Sequence, residues 1–260
     1  MSQLRNRLLM SGAAVLFAGA AHAGGHEITV ALQLEPPHLD PTSAAAGAID
    51  SVLYSNVFEG LTRFASDGSI IPGLAKSWDI SGDGLTYTFH LHEGVTFHDG
   101  TAMDAEDVKF SLDRARAEDS VNAQKGLFAG IADVEVVDAA TVKVTLSGPN
   151  GNFLFNMAWG DAVIVAPESI ENIKTTPIGT GAFTFSNWVQ GDKIELTRNA
   201  DYWGAAPALE KATFKFISDP KRQAEYSNTF AYGPTLKAAD QYVAGNHDMG
   251  LEETSTQMFL

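Results

Sequence analysis

Residues 85–115, LTYTFHLHEGVTFHDGTAMDAEDVKFSLDRA, change their hydrophobic period partway along. From Thr86 to His92 the residues alternate. Tyr87, Phe89 and Leu91 point one way and Thr86, Thr88, His90 and His92 the other, the mark of a half-buried strand. From Asp104 the repeat lengthens to that of a helix. Ala105, Val108, Leu112 and Ala115 form one apolar stripe, and Lys109 and Arg114 lie off it. The Asp104 carboxylate is placed to cap the free N–H groups of the first turn, where Glu106 and Asp107 are also favourable. A strand that hands over to a capped helix sets the pattern for the rest of the chain.

Working outward, His26 to Gln33 (HEITVALQ) is β-rich and is stopped by Glu35-Pro36-Pro37, because proline cannot donate to a ladder. Ile49, Val52, Leu53, Val57, Phe58 and Leu61 recur at helical spacing, with Gly60 near the end, which predicts a helix over 49–61. Val134 to Val137 and Val142 to Leu146 read as a hairpin across Asp138-Ala139-Ala140-Thr141. Phe183 to Val189 and Ile194 to Thr197 read as a second, turning at Gly191-Asp192. Ala212 to Ile217 is a further strand with Phe214 and Phe216 on one side. The fold class is therefore α/β, of the mixed α+β kind.

Composition narrows the function. The 260 residues contain no cysteine, so a disulfide framework, a thiolate nucleophile and a thiolate metal site are all excluded. At the N-terminus, Arg5 and Arg7 precede an apolar run from Leu8 to Ala20 that is too short to span a bilayer, and Ala21-His22-Ala23 offers a small-x-small cleavage site. Residues 1–23 are thus expected to be a signal peptide cleaved near Ala23, placing the mature chain in the periplasm. Its loss removes two arginines and no acid, taking the formal charge from -15 to -17. So acidic a chain is a poor partner for nucleic acid or anionic lipid.

Seven blocks then follow in order: Asn56 to Arg63 (NVFEGLTR), Pro72 to Trp78 (PGLAKSW), Leu85 to Leu91 (LTYTFHL), Gly94 to Thr101 (GVTFHDGT), Ala105 to Leu112 (AEDVKFSL), Pro177 to Phe183 (PIGTGAF) and Leu196 to Trp203 (LTRNADYW). Together they resemble the family 5 extracellular solute-binding proteins of peptide, oligopeptide and nickel ABC importers. The resemblance implies a periplasmic-binding-protein-like clamp whose two lobes close on a ligand and deliver it to permease subunits in the membrane. By the same resemblance, residues 24–47 and 167–220 form a discontinuous first lobe, and 48–166 form an inserted α+β subdomain. The match stops near Asp219-Pro220, and residues 221–260 do not follow the family pattern. The expectation is a chain whose second lobe is missing, through truncation, a frameshift or the joining of a fragment to unrelated sequence, and which binds its ligand weakly or not at all.

The expected role is capture of di- or oligopeptides by a monomer, with no cofactor and no catalysis. A nickel, haem or other small-solute binder of the same family, or a truncated non-binding product, is the alternative. A secreted hydrolase lacks its chemistry: Ser111, Ser169 and Ser186 have no Gly-x-Ser-x-Gly context, and Glu59, Asp107 and Arg114 are accounted for by helix capping and ion pairing. His90, His92, His98 and Asp99 read as structural groups within the motif blocks, not as metal ligands. Gly179-Thr180-Gly181 lacks the lysine of a phosphate loop. Trp159 and Trp188 sit in apolar stretches and read as core. The candidate ligand contacts are Leu34, Glu35 and Pro36 after the first strand, and Gly179, Thr180 and Gly181, where the resemblance places main chain near the ligand. Main-chain groups at strand ends recognise peptide backbones without selecting side chains.

Overall fold

The computed structural model describes residues 27–219, so the expected leader and the segment 221–260 lie outside the described residues. Two four-stranded sheets organise these residues. In the first, β1 (Glu27–Leu32) runs parallel to β10 (Lys211–Phe216), pairing from Glu27 with Lys211 to Leu32 with Phe216. β10 then pairs antiparallel with β9 (Lys193–Arg198), and β9 with β8 (Phe183–Val189), giving the order β1-β10-β9-β8. Everything between residues 33 and 182 is an excursion from this sheet.

The excursion carries a short ribbon of β2 (Thr62–Phe64) and β3 (Ile70–Pro72), then the second sheet. That sheet has the antiparallel order β4-β5-β7-β6: β4 (Ala75–Ile80), β5 (Thr86–Leu91), β7 (Thr141–Leu146) and β6 (Ile131–Asp138). Tyr87, Phe89 and Leu91 are buried, as the alternation requires. Against them pack Ala105, Val108, Leu112 and Ala115 of α2 (Ala105–Arg116). Full burial of a side chain such as Phe89 contributes about 2–3 kcal/mol. The α2 start is a reciprocal cap: Asp104 Oδ1 accepts from Glu106 N at 2.8 Å, and Asp107 Oδ2 accepts from Asp104 N at 2.9 Å.

One predicted helix is shorter than its period. α1 spans Gly47–Leu53, and the chain leaves it through Ser55, whose φ of 59° is left-handed. The Leu53 carbonyl accepts from the amides of Asn56, Val57 and Phe58, and Asn56 Nδ2 donates to Val52 O at 2.9 Å, closing the helix end. Val57, Phe58 and Leu61 are still fully buried, so the tight turn delivers to the interior the same residues that a longer helix would have buried.

Packing divides the molecule near Glu59. Ile49, Val52, Leu53, Val57 and Phe58 share a core with Val30 and Leu32 of β1, Phe183, Ile194 and Leu196 of the β8–β9 hairpin, and Phe214 of β10. α1 thus packs on the first sheet. Residues 163–166 form the wall between the two cores. Val163 and Val165 face the first, Ile164 and Ala166 the second, as the period of an extended segment dictates.

Candidate functional site

The segment after β1 and the crossing at 179–181 do not meet. The Leu32 end of β1 aligns, through Phe216 and Lys193, with the Val189 end of β8, whereas residues 179–181 precede Phe183 at the other end. A seven-residue strand separates them by about 20 Å. Leu34 is 69% exposed beyond the parallel pair β1 and β10. Glu35 is tied down: Oε1 accepts from Trp188 Nε1 at 2.8 Å and from Gly191 N at 2.9 Å. Pro36 is buried. Trp188 is thus half-buried and polar-anchored instead of being plain core.

The 179–181 crossing is a backbone junction. A Cβ on Gly179 would stand inside contact distance of Val57 O, and one on Gly181 inside that of Asn56 O, so only glycine fits. The main-chain groups at 179 and 181 already have partners. Gly181 N donates to Val57 O at 2.9 Å, His98 N donates to Gly179 O at 2.9 Å, and Asn199 Nδ2 donates to Gly181 O at 3.0 Å. His98 lies between the two glycines: its Nδ1 accepts from Gly179 N at 3.4 Å, which leaves Nε2 to donate to Gly181 O at 2.9 Å. Burial lowers the His98 pKa and favours this neutral ring.

Thr180 is fully buried, and its hydroxyl donates to Glu59 Oε2 at 3.0 Å. Trp203 Nε1 donates to the same oxygen at 2.8 Å, and Tyr202 Oη donates to Oε1 at 2.8 Å. Burial raises the Glu59 pKa, and the three donors act against that rise. Helix capping does not describe Glu59, which lies beyond α1 and is bonded to two distant segments, at Thr180 and at Tyr202–Trp203.

The remaining histidines are dispersed. His90 Nε2 is 2.8 Å from Asp79 Oδ2 on the neighbouring strand, and the His92 ring lies 4.6 Å from that of Trp203. Among the described residues no three His, Cys, Asp or Glu side chains gather into a metal-sized group.

A constellation that the sequence did not single out lies where α1 meets residues 158–161. Tyr54 Oη donates to Ala158 O, and Gly160 lies against Asp50, so that a Cβ there would be 2.5 Å from Asp50 Oδ1. Asp161 is 6% exposed, and its Oδ1 has no hydrogen-bond partner. Burial first, and then the Asp161 charge, raise the Asp50 pKa to about 7; burial raises that of Asp161 to about 6. Beside them Phe64, Phe155 and Trp159 meet edge-on with centroids 5.0, 6.1 and 6.4 Å apart. Trp159 is 39% and Phe155 43% exposed, so Trp159 is a surface ring despite its apolar neighbours. The signal in the sequence was Asp161 itself, a lone charge inside the apolar run 157–166.

The parallel strands β1 and β10 end side by side beneath the exposed Leu34, and the second sheet is carried on the excursion between them. Residues 69–232 match the model of the bacterial extracellular solute-binding proteins, family 5 (middle), and the chain belongs to that family. It is 34% identical over 241 residues to the glutathione-binding protein GsiB of Pectobacterium atrosepticum, a match covering 89% of this chain and 47% of GsiB. Among solved structures, NikZ from Campylobacter jejuni in complex with Ni(L-His) superposes with a TM-score of 0.70 at 32% identity, covering 78% of this chain and 41% of NikZ. The periplasmic binding protein DppA from Helicobacter pylori, in complex with the peptide STSA, gives 0.70 at 31% identity over 77% of this chain and 44% of its own. The chain spans about half the length of the curated relatives it matches. Among the described residues no helix is long and apolar enough to cross a membrane.

Proposed function

We propose that this chain belongs to an exported substrate-binding subunit of an ABC importer, which captures di- or oligopeptides in the periplasm and hands them to a membrane permease. Family membership carries the reading, and similarity to GsiB and to peptide-bound DppA supports peptide as the solute class. The ligand face on this chain is the loop Leu34–Pro36, beyond the carboxyl ends of the parallel strands β1 and β10, where open sheets of this kind receive ligands. Leu34 offers apolar surface and main-chain groups, while Glu35 is held by Trp188 and Gly191 and fixes the loop. The crossing at Gly179, Thr180 and Gly181 serves this face indirectly, by locking the excursion to the first sheet. The subunit works by capture and release, without covalent chemistry.

The test is a titration of the 260-residue chain with a mixed di- and tripeptide pool, read by amide chemical shifts and by calorimetry. Weak, saturable shifts at residues 33–35 are expected. Unchanged shifts there up to the solubility of the pool sink the peptide reading.

A further inference from the structure

We propose that Asp50 and Asp161, with the half-exposed rings of Phe155 and Trp159 and the more buried Phe64 beside them, form a subsite for a primary ammonium or guanidinium group of the captured solute. The proposal rests on the solute-binding reading and adds the charge of the ligand.

Two observations carry it. The first is an uncompensated pair of carboxylates. Among the described residues neither Asp50 nor Asp161 forms a salt bridge, although nearly every other carboxylate in the interior is paired or multiply hydrogen-bonded. Arg114 lines the same small cavity as Asp161, yet its guanidinium is committed to Thr42 Oγ1 at 2.6 Å and Asp40 at 3.6 Å. Asn122 spends its amide on the main-chain carbonyl of Asp161, at 2.9 Å, and leaves the carboxylate alone. Asp161 Oδ1 therefore sits buried with nothing to accept from, a costly state for a polar atom.

The second is the ring cluster next to it. Trp159 directly precedes Gly160, whose missing side chain leaves room for the Asp50 carboxylate. Phe155 and Trp159 keep 43% and 39% of their surface exposed, although each ring has aromatic neighbours to pack on. Exposed aromatic faces carry negative potential and attract organic cations, and their apolar area covers the carbon chain that bears the charge. Two carboxylates supply the acceptors that an ammonium or guanidinium requires. A divalent metal fits less well, because it calls for more oxygen ligands than this pair provides.

The experiment uses the 260-residue chain at about pH 8, where both side chains are ionised, with amide shifts of Asp50, Gly160 and Asp161 as readout. The probes are n-butylammonium chloride, Ala-Ala-Ala, whose cation is its N-terminus, and N-acetyl-lysine methylamide, whose cation is a side chain. N-acetyl-Ala-Ala-Ala-amide and sodium chloride at matched ionic strength are the uncharged and salt controls. Cationic probes are expected to shift the three amides saturably with a Kd of about 1–10 mM, and Asp50→Asn to weaken this by about tenfold. The two peptide arms then show whether a terminal or a side-chain cation is taken. If Asp50→Asn does not fold, the wild-type comparison of cationic and neutral probes decides alone. No response at these amides, or an equal response to the neutral peptide or to sodium chloride, overturns the proposal. Peptide shifts at residues 33–35 without shifts at 50, 160 and 161 leave the solute-binding reading standing and remove this one. A butylammonium response with no peptide response at residues 33–35 removes the peptide as the solute and leaves a cation subsite in place.

Discussion

Thr180 and Glu59, 121 positions apart in the chain, are joined by a 3.0 Å hydrogen bond in the interior, and Tyr202 and Trp203 close on the same carboxylate. Glu59 stands where the excursion leaves the first core, and Thr180 where the chain returns. Their contact therefore fixes the second sheet relative to the first. Glu59→Gln keeps the shape but turns an NH2 toward donors. A hydroxyl can rotate to accept from it, whereas the Trp203 indole cannot. A loss of about 1–3 kcal/mol in urea unfolding is expected, and Glu59→Ala should cost more. Wild-type stability in both variants would refute the role given to this carboxylate.

Glycine at 179 and 181 is required by the main chain that lies against it. Gly179→Ala or Gly181→Ala places a methyl against Val57 O or Asn56 O, and each is expected to lose at least about 3 kcal/mol or to fail to fold. Gly126→Ala is the control, since nothing lies within 4 Å of its would-be Cβ and its φ is not positive. It should stay within about 0.5 kcal/mol of wild type. Thermal melts of the three proteins side by side check the contrast.

Local patterns were legible, and distant meetings were not. The alternation in β5 and the stripe of α2 survive intact because each is fixed by neighbours within a few residues. The helix expected over 49–61 stops at Leu53 because a left-handed Ser55 satisfies the same burial by a turn, which hydrophobic period alone cannot distinguish. Glu59 sits at helical spacing from its neighbours, yet its partners arrive from residues 180, 202 and 203. Trp159 has core-like neighbours in sequence but stands at the surface with Phe64 and Phe155. Leu34–Pro36 and Gly179–Gly181 both flank strands of one sheet, and only the register shows that they flank opposite ends.

The acid pair gives stability a definite pH dependence. Unfolded, Asp50 ionises near the ordinary aspartate value of 3.8; folded, it holds its proton to about 7. Between these values the unfolded chain has shed a proton that the folded chain retains, so rising pH favours unfolding. The penalty is absent below about pH 4, grows through the window and is complete above about pH 7. Its ceiling is about 4 kcal/mol, and partial solvent contact brings it to about 1–3 kcal/mol. Asp50→Asn removes the titration, so the difference in urea midpoint between variant and wild type should rise in favour of the variant from pH 4.5 to pH 8. A flat difference across that range contradicts the buried pair.

Trp188 reaches across from β8 to hold the loop proposed as the ligand face. Its Nε1 donates to Glu35 Oε1, and Gly191 N reaches the same carboxylate, so the loop after β1 is anchored to the β8–β9 turn at two points. Trp188→Phe keeps most of the ring volume and removes one anchor. The hydrogen bond is to a charged acceptor at a partly exposed site, so about 1 kcal/mol of global stability is at stake. The sharper consequence is local. Residues 34 and 35 should exchange amide hydrogen faster, while β9 and β10, whose ladder is untouched, keep their protection. Unaltered exchange at 34 and 35 would mean that Pro36 and Pro37 alone set the loop, and that Glu35 faces the β8–β9 turn without restraining it.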